Sequence, residues 1–152
     1  MTPYLFQAST QISATPEALF LFHENPENIR RIAPPSLKIH LVECAPEAVE
    51  GEEFRIQASQ FGMPINWTGR WAKVEKPGVL VDVGVHSPFS IWSHSHVFEV
   101  LGGGSLMTDR VEYLLKGGVA GKMVSRWIMP EVFRRMFQGR HKATRHYFEG
   151  HQ

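Results

Sequence analysis

Two-residue alternation is the feature that most constrains how this chain can fold. Phe6, Ala8, Thr10 and Ile12 alternate with Gln7, Ser9 and Gln11. In extended backbone, successive side chains point to opposite faces, so this segment reads as a strand with one buried side. The pattern recurs at Leu37, Ile39 and Leu41, at Phe54, Ile56 and Ala58, and at Ile65, Trp67 and Trp71. It returns over Val79 to Val85, Ile91 to Val100 and Leu106 to Leu115. Lys76-Pro77-Gly78 is a turn signal, and Gly102-Gly103-Gly104 reads as a hairpin. Links this short join antiparallel neighbours, so a seven-stranded antiparallel sheet is expected.

Helical signals interrupt the strands twice. After the first strand, Thr15 suits an N-cap, Pro16 the first helical position and Glu17 the positive end of the helix dipole. Asn25-Pro26-Glu27 restarts the pattern and Ala33-Pro34-Pro35 ends it, which places two short helices within residues 16–33. The chain closes on a helical pattern from about Val119 to Phe148. Its apolar stripe is read as Val119, Met123, Trp127, Phe133, Met136, Phe137 and Tyr147. Pro130 removes a hydrogen bond inside this pattern, so a kink or break is expected there.

A sheet with one apolar face must cover it, and only the terminal helix is long enough to do so. The 152 residues, 43% hydrophobic and 20% charged, suit one α+β domain over residues 1–152. A strongly curved sheet gripping a helix leaves space between them, and a pocket of several hundred Å³ is expected there. Trp67, Trp71, Trp92, His94, Phe98, Val111, Tyr113, Met123 and Trp127 are its candidate ligand-binding residues.

The single cysteine, Cys44, excludes an internal disulfide and any CxxC motif. MTPYLFQAST is unlike a signal peptide, and no apolar run reaches the roughly 18 residues a spanning helix needs. A cytoplasmic protein is expected. The net charge of +1 hides an asymmetry: from Lys116 onward eight Lys/Arg face two acids, giving +6, and the rest carries −5. Such a basic helix has a solvated face or meets an anionic surface. No nucleic acid partner is expected.

The chemistry-bearing residues lie on the hairpin. Trp92, His94, His96 and Phe98 share one strand face, and the apolar ends of this set mark that face as the inner one. A turn centred on Gly102-Gly103 pairs residues whose numbers sum to about 205, setting His96 across from Asp109 and Trp92 across from Tyr113. A carboxylate there would fix the imidazole tautomer. Three roles remain open for the pair: a self-satisfied structural contact, recognition of a polar group on an apolar ligand, or general acid–base catalysis by His96 oriented by Asp109. HxH on a strand is also a metal-ligand spacing, with Asp109 or His86 as third donor. No metal and no other cofactor are expected.

The order of elements resembles the START-like, or SRPBCC, superfamily, which has the helix-grip fold. The resemblance rests on Ile12-Ser13-Ala14-Thr15-Pro16-Glu17 with Leu19-Phe20, on Asn25-Pro26-Glu27-Asn28 and on Pro34. It continues through Ser87 to Phe98, with its WxHxHxF pattern, then Asp109, Tyr113 and Phe137-Gln138-Gly139-Arg140. It covers nearly the whole chain. It implies a cavity for a lipid-like or polyketide-like molecule, and it implies that some relatives are enzymes. The leading expectation is therefore a non-enzymatic protein that binds a hydrophobic or aromatic small molecule. The first alternative is a small cyclase or dehydratase using His96 and Asp109. The second is a module that meets a partner or membrane surface through the basic terminal helix.

Overall fold

A computed structural model describes residues 2–150. Strand β1 (Tyr4–Ile12) leads into helix α1 (Pro16–His23), a 3-10 turn (Pro26–Asn28) and the single turn α2 (Ile29–Ile32). Six strands follow: β2 (Leu37–Glu43), β3 (Glu53–Gln60), β4 (Met63–Glu75), β5 (Val79–His86), β6 (Phe89–Leu101) and β7 (Gly104–Leu115). Two helices end the chain, α3 (Gly118–Trp127) and α4 (Met129–Glu149). The seven strands form one antiparallel sheet in the order β1-β7-β6-β5-β4-β3-β2. The expected α+β architecture, a curved seven-stranded sheet gripping a C-terminal helix, is the observed one. No helix of the described residues is long and apolar enough to cross a membrane.

The local signals act as the chemistry requires. Thr15 Oγ1 accepts the Ala18 N–H at 3.1 Å and caps α1. Asn25 Oδ1 accepts the Glu27 N–H at 3.1 Å and starts the 3-10 turn. Gly69 lets the Phe54 ring lie flat on β4, because a Cβ there would overlap that ring. Phe54 in turn packs on Trp71, centroid to centroid 5.2 Å.

The terminal helix breaks at Ile128, just before Pro130, so the expected kink is a break between α3 and α4. The buried stripe differs from the expected one. Val119 (78% exposed), Met123 (58%) and Trp127 (69%) project to solvent, while Phe133 and Phe137 are buried. The face turned to the sheet runs in steps of four through Gly121, Ser125, Met129, Phe133, Phe137 and His141. Its first members are small because α3 presses closely on the end of β7. A Cβ at Gly121 would overlap the Lys116 carbonyl oxygen. Ser125 Oγ accepts the Leu115 N–H at 2.9 Å, and the Ser125 carbonyl accepts the Tyr113 hydroxyl at 2.9 Å. Close approach here selects for small side chains, and apolar size alone points to the wrong face.

Phe133 contacts rings from three strands: Phe6, Phe89, Trp92 and Tyr113. Phe133→Ala is expected to cost about 3–5 kcal/mol in chemical denaturation, the usual cost of truncating a large buried aromatic. Trp127→Ala is expected to cost under about 0.5 kcal/mol, as for exposed positions without special contacts. Equal losses would place the buried stripe elsewhere.

Candidate functional site

The hairpin register is the one expected: His96 faces Asp109, Trp92 faces Tyr113 and Phe98 faces Met107. Across β5 and β6, Leu80 faces His96 and Asp82 faces His94. These registers place three ionisable side chains on the inner face of neighbouring strands, with Asp109 beside them. Helix α4 brings His141 down on the same point. Asp82, His94, His96, Asp109 and His141 are all buried.

Asp109 is the hub. Its Oδ1 accepts from His94 Nε2 at 2.8 Å and its Oδ2 accepts from His141 Nε2 at 2.5 Å. His96 Nδ1 also lies 2.9 Å from Oδ1, out of line for a hydrogen bond. The expected His96–Asp109 proximity is therefore real, but the aligned partners of Asp109 are His94 and His141. On the other side of the histidines, Asp82 Oδ2 lies 3.9 Å from His94 Nδ1 and 4.0 Å from His96 Nε2. Trp92 Nε1 donates to Asp82 Oδ1 at 3.3 Å. His23 of α1 stacks near His96, ring centroids 5.2 Å apart, and its Nδ1 is 2.7 Å from the Leu19 carbonyl oxygen.

Electrostatics follow from burial. Burial pushes the Asp109 carboxyl up, but the hydrogen bonds from His141 and His94, with His96 close beside them, outweigh it and hold the group well below the usual carboxylate range. Burial lowers both His94 and His96, against the pull of Asp109. Burial, aided by the charge of His96, lowers His23 to about 3. Burial raises Asp82 to about 6, opposed by the charge of His96 and the Trp92 hydrogen bond. Burial also lowers Arg140, opposed by the charges of Asp109 and Asp82. An ionised Asp109 beside neutral His94 and His96 is thus the favoured state. Such a carboxylate orients the imidazoles that donate to it.

The expected pocket lining is distributed differently. Trp92 packs on Trp67 (4.9 Å), Phe89 (4.9 Å) and Phe133 (6.0 Å), so aromatic rings fill the space under α4. Val111 and Tyr113 are buried with Phe133 and Phe137. Phe98 packs on Phe20, and Trp71 packs on Phe54. Met123 and Trp127, the helical candidates, are exposed. The rings of Trp67, Phe89, Trp92 and Phe133 thus occupy part of the space expected to be open.

The larger depression lies instead where α4 crosses the β1 edge. It is a groove of about 720 Å³ reaching from Phe6, Ala8 and Thr10 to His141, Lys142 and Arg145. Arg145 donates to Thr10 Oγ1 across it. A smaller hollow of about 250 Å³ lies beside Trp67 and His86. The sequence reading missed Asp82, His141 and His23. His141 was discoverable as the step of four after Phe133 and Phe137. Asp82 was discoverable from its shared parity with Leu80 and a turn centred on Pro88.

Asp109 and His141 are expected to be energetically coupled. A double-mutant cycle with Asp109→Asn and His141→Ala should give a coupling of about 0.5–3 kcal/mol in denaturation experiments. Additive losses would mean that the contact contributes nothing.

No protein-family model matches the chain, and no curated protein matches it. Solved structures do. A START superfamily protein from Mycobacterium smegmatis superposes with a TM-score of 0.74 at 12% identity, covering 97% of this chain and 99% of that one. Major latex-like protein 151 from Panax ginseng gives 0.72 at 11% identity, covering 98% and 99%. The di-domain ARO/CYC StfQ of the steffimycin biosynthetic pathway gives 0.79 at 9% identity, covering 99% of this chain and 52% of that one. With the sheet order and the terminal helix described above, these likenesses establish that the chain has the helix-grip fold of the START-like, or SRPBCC, superfamily.

Proposed function

We propose that this protein binds a small molecule with an apolar body and an anionic end, seated in the groove between β1 and α4. The observation that carries this reading is the lining of the groove. Phe6 and Ala8 supply an apolar floor, and His141, Lys142 and Arg145 supply hydrogen-bond donors and positive charge. Its volume of about 720 Å³ falls within the usual range for small-molecule sites, ~300–1,000 Å³. The similar folds include a START superfamily protein and the ARO/CYC StfQ of the steffimycin biosynthetic pathway, which supports a hydrophobic or aromatic ligand. An enzymatic alternative, a cyclase or dehydratase, would use the same groove, with His141 oriented by Asp109 as the acid–base group.

Anilinonaphthalene sulfonate combines an aromatic body with an anionic group and is a suitable probe. Its fluorescence should rise on binding to the wild type. Arg145→Ala should weaken binding about 10-fold, equivalent to ~1.4 kcal/mol. Trp127→Ala should leave it unchanged. Affinity that ignores Arg145→Ala and Lys142→Ala, or that falls with Trp127→Ala, would place the probe elsewhere and defeat the reading.

A second reading rests on a separate observation. Val119, Met123 and Trp127 form an exposed apolar stripe on α3, flanked by Lys116, Lys122 and Arg126. Apolar residues beside basic ones are the composition of a helix that lies on an anionic bilayer surface. Cosedimentation with phosphatidylglycerol vesicles should be strong at low salt, weak on neutral phosphatidylcholine and lost in Trp127→Ala. Equal binding to both lipids would remove the electrostatic part of this reading.

A further inference from the structure

We infer that Asp82, His94 and His96 form a binding site for a divalent transition-metal ion, with Asp109 as the carboxylate that orients His94 and lies beside His96. The inference uses residues behind the groove and does not depend on which molecule the groove takes.

Three donor atoms converge. Asp82 Oδ2, His94 Nδ1 and His96 Nε2 all lie within 4.8 Å of one another, and Asp82 Oδ2 is 3.9 and 4.0 Å from the two nitrogens. Around zinc at ~2.0–2.2 Å, ligand atoms stand about 3.3 Å apart, so each of the two Asp82 separations needs to close by roughly 0.6–0.7 Å. The spacing follows from the sheet: His94 and His96 are alternate residues of β6, and Asp82 pairs with His94 from β5. All three side chains are buried and belong to two paired strands, so the site is rigid.

For His94 and Asp82 the remaining polar atom already has a hydrogen-bond partner, and the far nitrogen of His96 lies beside Asp109 without an aligned one. His94 Nε2 donates to Asp109 Oδ1, which puts the proton on Nε2 and leaves a lone pair on Nδ1. His96 Nδ1 lies 2.9 Å from the same Asp109 oxygen without a hydrogen bond to it, and its Nε2 lies 4.0 Å from Asp82 Oδ2. Asp82 Oδ1 takes the Trp92 indole hydrogen, leaving Oδ2 for the centre. Metal-ligating histidines characteristically place their far nitrogen on a carboxylate in this way, and ligating carboxylates are themselves hydrogen-bonded. A cation placed between Asp82 Oδ2, His94 Nδ1 and His96 Nε2 would be met by one carboxylate oxygen and two ring nitrogens.

Two imidazoles and one carboxylate suit Zn²⁺ or Fe²⁺ rather than Mg²⁺ or Ca²⁺. Three protein donors leave at least one coordination position for water or a substrate atom. The third donor is Asp82, where the sequence reading named Asp109 or His86. Asp109 takes the outer role, and His86 is exposed at the end of β5 beside Trp67.

The test is metal analysis of tag-free protein produced in zinc-supplemented medium and dialysed extensively, followed by replacement with Co²⁺. Zinc at one equivalent per chain is expected, with cobalt giving visible d–d absorption. Asp82→Asn and His94→Ala should reduce the metal to below a tenth of an equivalent, and His86→Ala should retain it. Asp109→Asn should lower affinity 10–100-fold, the usual effect of losing an outer-shell partner. Circular dichroism establishes that each variant is folded. If His94→Ala does not fold, the isosteric Asp82→Asn decides. Wild-type protein without stoichiometric metal overturns the inference. So does metal that persists in folded Asp82→Asn or His94→Ala.

Discussion

The structure depends on one buried carboxylate. Asp109 sits on β7 under α4 and is met by His94 and His96 from β6 and by His141 from α4. A carboxylate taken out of water without partners is costly, so the three imidazoles are a condition of its burial. The contact with His141 also fixes how α4 lies on the sheet. Phe133 and Phe137, two and one helical steps earlier on the same face, then pack on Phe6 and Trp92. The polar hub sets the register of the helix, and the aromatic rings supply apolar burial around it.

The same hub divides the interior into two chemical regions. Toward α4 and β1, His141 is the link between Asp109 and the groove with its basic rim. Toward β5, the histidines turn their other nitrogens to Asp82. Asp109 is therefore in contact with the proposed ligand groove through one imidazole and with the proposed metal site through two others.

The break between α3 and α4 has its own consequence. Gly121 and Ser125 bring α3 close to β7, which uses its small-residue face against the sheet. The large residues of α3 are thereby left outside, with basic neighbours. The helix that covers the end of the sheet is also the one that carries the exposed apolar stripe.

Much of this was legible in the residues themselves. Alternation with a period of two marked all seven strands, because strand geometry is local and each face of the sheet has a different solvent. The three glycines after β6 set the β6–β7 register, because a tight hairpin leaves few ways to pair, and that register put His96 opposite Asp109. Thr15, Asn25 and Pro130 marked helix starts and the break, because caps and proline act within one turn. Three things were decided only by tertiary structure. Which face of α3 is buried depends on the distance between helix and sheet, and only the packed fold shows that Gly121 and Ser125 lie where nothing larger fits. Whether a cavity remains depends on ring packing across elements, and the contacts of Phe133, Trp92 and Trp67 join residues from α4, β6 and β4. The partners of Asp109 came from β6 and α4 together, because a buried charge takes whatever donors the fold brings within reach, and separation along the chain places no limit on that.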